Sequence, residues 1–515
     1  MKNNIGLYLS KRAHLSPQLE GYVDSESGAR YSYPELNALA NRAAHALLAI
    51  GVGQGDRVAL LMMNSVDYVA SFFGIAKIGA VAVPINWRLV PDELAFILKD
   101  SGSQTLIYGA EFAQAVADLQ SRGTEGTVIS EWLQVGEEDA RPEFARSYRD
   151  LSEKATDADP ECSACDDDLL FIMYTSGTTG LPKGAVHSHN SVTWAVMTLG
   201  ATAEVRLGDR YLVALPLFHV GALAPVIANV HRGITNVVLR SFDPVKAWEL
   251  IRHERINIGL AVPAMLNFMR QAYDSSDVDI SSLRWLMSGA SPVPVSLIED
   301  YQKIGIEIHQ VYGLTECCGP ACLIGPEDAL AKAGSTGKAF FHTDVKVVDA
   351  SGKDVSPGEP GEILIRGQHV MREYWNRPEA TAETIRDGWL STGDVATIDP
   401  EGFIYIQDRT KDMIISGGEN VSPAELENLI LTHPKVSEVA VIGQPSAKWG
   451  ESPLAVVVKG DESLQADEVL SHCQGKLARF KLPKAVRFIE EIPRNPTGKV
   501  LKRVLRERYP EPAAE

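Results

Sequence analysis

The sequence predicts an α/β protein: a large N-terminal domain of doubly wound βαβ sheets with a small β-rich subdomain, then a small α+β C-terminal domain. Two observations carry this. Helix and strand signals alternate from the N-terminus to beyond residue 300, and that rhythm implies parallel sheets with helices on both faces. At residues 336–408 the pattern changes to short alternating strands broken by Gly, Asp and Pro, and from about Lys411 a compact α+β unit begins.

The elements follow in order. Ser32-Tyr33-Pro34-Glu35 reads as a capping box. The helix behind it carries Leu36, Leu39, Ala43 and Leu47 on one face, and Gly51 stops it. Residues 57–62 read as a buried strand, 80–85 as the next, 91–98 as a helix and 105–108 as a strand. Residues 155–168 are acidic and irregular, a loop before the strand 169–173. The β-rich subdomain has strands at 345–348, 362–366 and 403–407; the last unit has strands at 438–442 and 454–458 and a helix over 466–478.

The chain has 515 residues, 45% hydrophobic, enough for more than one full-sized core. A formal net charge of −18 argues against a general nucleic-acid binder, although a locally basic pocket for ATP remains compatible with it. The polar, amphipathic start does not read as a signal peptide. No apolar run reaches transmembrane length; residues 70–85 are interrupted by Lys77. Cys162-x-x-Cys165 has no second pair at zinc spacing, and a reduced, cytoplasmic protein is the simplest reading of the six cysteines.

The chemistry concentrates in a few short segments. Thr175-Ser176-Gly177-Thr178-Thr179-Gly180-Leu181-Pro182-Lys183 packs hydroxyls, open glycine backbone and a lysine into one loop after a predicted strand. Such a loop can wrap phosphate oxygens at the carboxyl end of a parallel strand, and its spacing is not that of the Walker loop. In Tyr312-Gly313-Leu314-Thr315-Glu316 a ring can stack on adenine, a glycine admits close backbone, and a carboxylate beside phosphates can hold magnesium. Asp394, in Trp389-Leu390-Ser391-Thr392-Gly393-Asp394, suits a pair of ribose hydroxyls. Small, apolar residues around His219 and near Met265 suit an alkyl chain or flat ring. Each segment also has an ordinary reading: a surface loop, a buried tyrosine, a turn, a packing histidine.

Their order along the chain resembles that of the acyl-adenylate-forming enzymes, in the acyl-CoA synthetase branch. The resemblance implies ATP, Mg2+ and CoA. It implies that Thr175, Ser176, Gly177, Thr178, Thr179, Gly180 and Lys183 hold phosphates, that Gly289, Ala290 and Ser291 with Tyr312 and Gly313 hold adenine, and that Asp394 with Arg409 holds ribose. Thr315 would meet the α-phosphate, and Glu316 would be the metal ligand. The resemblance also places this segment at the acyl-carboxylate site; many relatives carry a second glycine where Ala290 stands, and its methyl group would trim the pocket. His219, Val220, Gly221, Ala222, Met265 and Leu314 would line the acyl pocket. Lys499, in Pro493-Arg494-Asn495-Pro496-Thr497-Gly498-Lys499, would be the catalytic lysine of adenylation. Lys411, in a hinge over 409–412, would be the pivot between a domain over 1–408 and a mobile one over 413–515. Ser416, Gly417, Gly418 and Glu419 would approach the CoA site after rotation.

The stretches 171–189 and 374–381 and the opening Asn4-Ile5-Gly6 resemble long-chain fatty-acid–CoA ligases of actinobacterial type. The expected activity is an ATP-dependent acyl-CoA synthetase for a medium- or long-chain fatty acid. Aryl or hydroxycinnamate acids, steroid side-chain acids, an adenylating enzyme that loads a carrier protein or makes an amide, and a catalytically dead binding protein are the alternatives. Peripheral membrane contact, with Arg252-His253-Glu254-Arg255 as its nearest local basic segment, and a homodimer are left open.

Overall fold

The computed structural model describes residues 3–136, 141–162, 164–175, 182–274, 279–290, 293–409, 412–416, 419–446, 450–474, 476–477, 481–494 and 500–510. Two large sheets stand at its centre. In the first, the strands Glu20–Asp24, Thr235–Val238, Arg210–Val213, Ile258–Leu260, Trp285–Ser288 and Glu307–Tyr312 run parallel side by side. In the second, Arg146–Ser147, Glu131–Val135, Thr105–Gly109, Arg57–Leu61, Val81–Pro84 and Leu169–Thr175 do the same.

Apolar faces fix the layers. The helices Tyr33–Ala49, Val66–Lys77, His189–Thr202 and Val220–Arg232 lie between the sheets, where Leu36, Phe72, Val192 and Ile227 share one core with Leu60 and Phe171 of one sheet and Tyr211 and Val238 of the other. The outer face of the first sheet packs Leu212, Leu286 and Ile308 against Trp248, Leu266 and Ile298 of three further helices. The outer face of the second packs Ala59, Leu106 and Ile172 against Leu94, Leu98 and Leu119. Strands buried on both faces read as continuous apolar runs, as these do.

Behind these layers an antiparallel sheet gathers Asp344–Val348, Gly361–Arg366, Trp389–Ile398, Ile404–Arg409 and Ile385–Arg386. The C-terminal domain has its own sheet and separate cores, built on Ile414, Leu426, Val441 and Val457 and on Ile442, Leu454 and Leu505. The architecture is therefore the large α/β domain, β-rich subdomain and small α+β domain that the sequence predicts.

The capping box forms: the Ser32 hydroxyl accepts from the Glu35 amide, and the Glu35 carboxylate accepts from the Ser32 amide at 2.8 Å. Lys77, which interrupts an apolar run, is buried and donates to Asp159 at 2.7 Å and Asn37 at 2.8 Å, anchoring the acidic loop on the central layer. In the segment Arg252-His253-Glu254-Arg255, Glu254 bridges Arg30 and Arg210, and Arg255 lies 3.8 Å from Asp279, so charge is largely matched within the fold.

One detail differs from the sequence expectation and two add to it. The helix at 466 ends at Cys473, five residues early, with Gln474 already in extended backbone (φ −63°, ψ 138°). The subdomain lends two short strands to the large sheets: Lys338–Ala339 to the first, Glu373–Tyr374 to the second. The strand before the phosphate-loop sequence, Leu169–Thr175, pairs antiparallel with the strand after it, Lys183–Ser188, a pairing the sequence reading did not include. The first of the two still runs parallel to Val81–Pro84. No described helix is long and apolar enough to cross a membrane.

Candidate active site

The carboxyl end of Glu307–Tyr312 is the centre of the site. Gly313 follows, and its backbone lies so close to the next turn that a Cβ would sit 1.3 Å from the Gly319 carbonyl oxygen. Only glycine fits there. Gly289 is under the same constraint: a Cβ would lie 2.1 Å from the Val311 carbonyl oxygen. Ala290 beside it has φ +68°, the left-handed region that glycine occupies at low cost. An alanine thus holds a glycine conformation, with its side chain exposed at the end of the strand Trp285–Ser288.

Tyr312 and Asp394 meet. The tyrosine hydroxyl donates to Asp394 Oδ2 at 2.6 Å, and desolvation together with that carboxylate pushes the phenol well above its ordinary pKa. Asp394 is buried, and its amide is fixed by the Thr392 hydroxyl at 3.1 Å. Buried next to them are two polar atoms without a partner among the described residues: Ser288 Oγ and Gln310 Nε2. Ser288 and Gln310 are register partners on adjacent strands.

Thr315 and Glu316 lie in a single 3-10 turn, Thr315–Cys317. Two histidines hold its backbone. His187 Nε2 donates to the Thr315 carbonyl at 2.8 Å, and His369 Nδ1 donates to the Cys317 carbonyl at 2.9 Å while its Nε2 accepts from the Thr343 hydroxyl at 2.7 Å. A carbonyl only accepts, so each bond fixes the tautomer. Burial lowers the His187 pKa to about 4 and also lowers that of His369, which keeps both neutral. The Glu316 side chain accepts from the Tyr374 hydroxyl at 2.7 Å, and the Lys183 ammonium lies 5.1 Å from the Tyr374 ring centre. Lys183, Thr315, Glu316, Tyr312 and Asp394, dispersed over 212 positions, are therefore linked through short contacts into one neighbourhood. Oxygen donors such as Glu316 suit a hard divalent cation.

His219 precedes the helix Val220–Arg232. Its Nε2 is buried without a partner among the described residues, and loss of solvent, helped by Arg88, pushes its pKa down to about 3. Phe218 packs edge-on against Trp87 at 6.0 Å, and Arg88 stacks on Trp87 at 4.3 Å. Val220 faces Gly319, Gly221 faces Leu215, and Ala222 is in the central core. Leu314 packs against the subdomain core. Met265 lies in the outer core of the first sheet, on the opposite face from the central layer. The thiols of Cys317 and Cys322 are buried and pushed up to about 12, unsuited to nucleophilic work.

Thr175 ends its strand, and its hydroxyl donates to the Lys183 carbonyl at 3.4 Å. Ser416 lies on the strand Ile414–Ser416 and is buried. Ser176, Gly177, Thr178, Thr179, Gly180, Ser291, Lys411, Gly417, Gly418 and Lys499 lie outside the described residues, as do the side chains of Arg409 and Glu419. Sequence reasoning passed over His187, His369 and Gln310. His187 and Gln310 stand within four residues of singled-out motifs; nothing local marks His369, whose role depends on a contact across 52 residues.

Comparison with known proteins now decides the family. Residues 9–375 match the model of the AMP-binding enzyme family, and 425–499 match that of the AMP-binding enzyme C-terminal domain. The chain belongs to the AMP-binding enzyme family. It is 49% identical over 506 residues to the long-chain-fatty-acid–CoA ligase FadD13 of Mycobacterium tuberculosis, covering 98% of both chains. It is 39% identical over 512 residues to a feruloyl-CoA synthase of Amycolatopsis sp, covering 99% of this chain and all of that one. Its fold superposes on a solved Mycobacterium tuberculosis fatty acyl CoA synthetase with a TM-score of 0.79 at 48% identity, over 98% of each. The protein is an ATP-dependent, AMP-forming acyl-CoA ligase whose substrates are ATP, a carboxylic acid and CoA.

Proposed function

We propose that this ligase activates a long-chain fatty acid in the cytoplasm, in two half-reactions at one site. The observation that carries the choice of acid is the small, apolar segment Val220, Gly221 and Ala222 beside His219, with Val220 against Gly319; Leu314 and Met265, which sit in other cores, are proposed as further lining residues. Such a lining accepts alkyl chains and rejects charge. FadD13 acts on long-chain fatty acids by its name, and the similarity to it is full-length. His219, neutral down to about pH 3, keeps the wall uncharged.

In the first half-reaction a carboxylate oxygen of the acid attacks the α-phosphorus of ATP, and the bond to pyrophosphate breaks. Tyr312, the tight backbone at Gly289 and Gly313, and the neighbouring Ala290 and Ser291 receive the adenine, with Gln310 offering an amide that has no partner among the described residues. Asp394 accepts from the ribose hydroxyls, exchanging the Tyr312 bond for them, and Arg409 donates to their oxygens. Thr175, Ser176, Gly177, Thr178, Thr179 and Gly180 supply hydroxyls and backbone amides to the β- and γ-phosphates, and Lys183 adds its charge. Thr315 meets the α-phosphate. Glu316 would hold a magnesium ion, which when bound neutralises charge on the departing phosphates. Lys499 bridges the acid and the α-phosphate, where negative charge accumulates.

In the second half-reaction the CoA sulfur attacks the acyl carbonyl carbon and AMP leaves. The domain over 413–515 turns about Lys411, withdrawing Lys499 and bringing Ser416, Gly417, Gly418 and Glu419 to the thiol side. No protein nucleophile is needed.

The test is thioester formation, followed by mass spectrometry, with ATP, magnesium and CoA against saturated acids of graded length, benzoates and hydroxycinnamates. We expect kcat/KM to peak with long alkyl chains. A peak with hydroxycinnamates, the reading the feruloyl-CoA synthase similarity favours, would overturn the choice of acid and leave the ligase activity standing.

A further inference from the structure

The segment that the subdomain lends to the second sheet stitches together two nucleotide motifs far apart in sequence. Arg372 donates its amide to the Val186 carbonyl at 2.9 Å, and Trp375 donates to the Gly184 carbonyl at 2.7 Å, so Tyr374 is laid along the strand that starts at Lys183. On its other side Met371 donates to the Glu316 carbonyl at 2.7 Å. Tyr374 is thus held from both neighbours, and its amide is capped by the Thr381 hydroxyl at 3.0 Å. Its own hydroxyl then reaches Glu316 Oε1 at 2.7 Å, and its ring lies 5.1 Å under the Lys183 ammonium.

We infer that Tyr374 is a positioning residue for the metal-binding carboxylate: its hydroxyl, set by this edge strand, orients Glu316 and leaves the second carboxylate oxygen for a divalent cation, while its ring face keeps Lys183 beside the same phosphates. The inference rests on the reading of Glu316 as the metal ligand given above. A hydroxyl donor suits this task. It fixes the carboxylate without neutralising it, whereas a lysine or arginine in that place would compete with the cation. A glutamate has three rotatable bonds, and holding it in one arrangement before the cation arrives removes an ordering cost from binding. The ring adds a weak cation–π attraction for Lys183, which a phenylalanine would largely preserve. Hydroxyl and ring are therefore separable by Tyr374→Phe.

The experiment is Mn2+ retention by the full-length enzyme with α,β-methylene-ATP, read from the free Mn2+ electron paramagnetic resonance signal, in wild type, Y374F, E316Q and the double variant. Metal-free AMP binding is measured on each by calorimetry. We expect Y374F to weaken Mn2+ retention about fivefold and E316Q at least tenfold, Y374F to add nothing in the E316Q background, and AMP binding to stay unchanged. Wild-type retention by Y374F beside a loss in E316Q would overturn the role of Tyr374 and leave that of Glu316 intact. Wild-type retention by E316Q would overturn the metal-ligand reading itself. A loss from Y374F of equal size in both backgrounds would show a general loosening of the site and overturn the positioning role, whatever that variant does to the melting temperature.

Discussion

Single residues divide the work of the site according to what their side chains can do. Lys499 is assigned to adenylation because a flexible ammonium can follow charge from the carboxylate to the α-phosphate. Lys499→Ala should lower pyrophosphate release by a hundredfold or more, on the order of 3 kcal/mol in the barrier. Thioester formation from supplied acyl-adenylate should fall far less; equal loss in both, measured by stopped assays, would remove the assignment. The buried histidines set a pH limit. His187 and His189 are held at about 4 and His219 at about 3, all by burial, below the ordinary 6.5. The unfolded chain takes up these protons as pH falls below 6.5, while the folded one does not until about 4 or lower. The stability they contribute is therefore complete above pH 6.5 and is lost as pH falls from there towards 4. Melting temperatures should drop across that window, and His187→Gln, which keeps a donor for the Thr315 carbonyl, should flatten the drop. A slope unchanged by the substitution would show that His187 protonates freely in the fold.

Elements decide where those residues stand, and here sequence and structure part company in an instructive way. The capping box at Ser32, the strand at residues 57–62 and the strand before the phosphate loop were legible because each has a local cause: a side-chain cap or a continuous apolar run. The antiparallel pairing across the phosphate loop and the edge strand at Tyr374 were not, because pairing partners are set by tertiary contact, and two-residue strands have no periodicity to read. The turns are the sensitive places. Gly313→Ala would press a methyl group into the Gly319 carbonyl, so it should cost at least ~3 kcal/mol in chemical denaturation, at the upper end for overpacked sites, and abolish adenylation. Ala290→Gly acts in the other direction. It relieves a left-handed conformation that costs an alanine about 1 kcal/mol, so stability should hold or rise, and the lost methyl group should widen the range of acids accepted. A clear fall in melting temperature in A290G would contradict the strain at this position.

The whole molecule is a large and a small domain in sequence, and the catalytic account needs one to move on the other. The cores on Ile414 and on Ile442 are separate from those of the large sheets. Across the junction the Ser422 hydroxyl donates to the Gln407 carbonyl at 2.8 Å, the kind of bond that is small enough to be exchanged on rotation. The motif order already implied this division, since Asp408-Arg409-Thr410-Lys411-Asp412 separates a β sheet from an independent α+β unit; the orientation of one on the other is not written in any local pattern. Lys411→Pro, which stiffens the pivot, should spare pyrophosphate release and suppress the thioester step. The measurement that tests the central claim most directly takes wild type, K499A and K411P through both half-reactions with the preferred acid. It follows pyrophosphate release from ATP, then CoA thioester formation from preformed acyl-adenylate. The account predicts opposite defects: K499A fails the first and keeps the second, K411P keeps the first and fails the second. Parallel losses in both variants would contradict one site served in turn by two faces of a rotating domain.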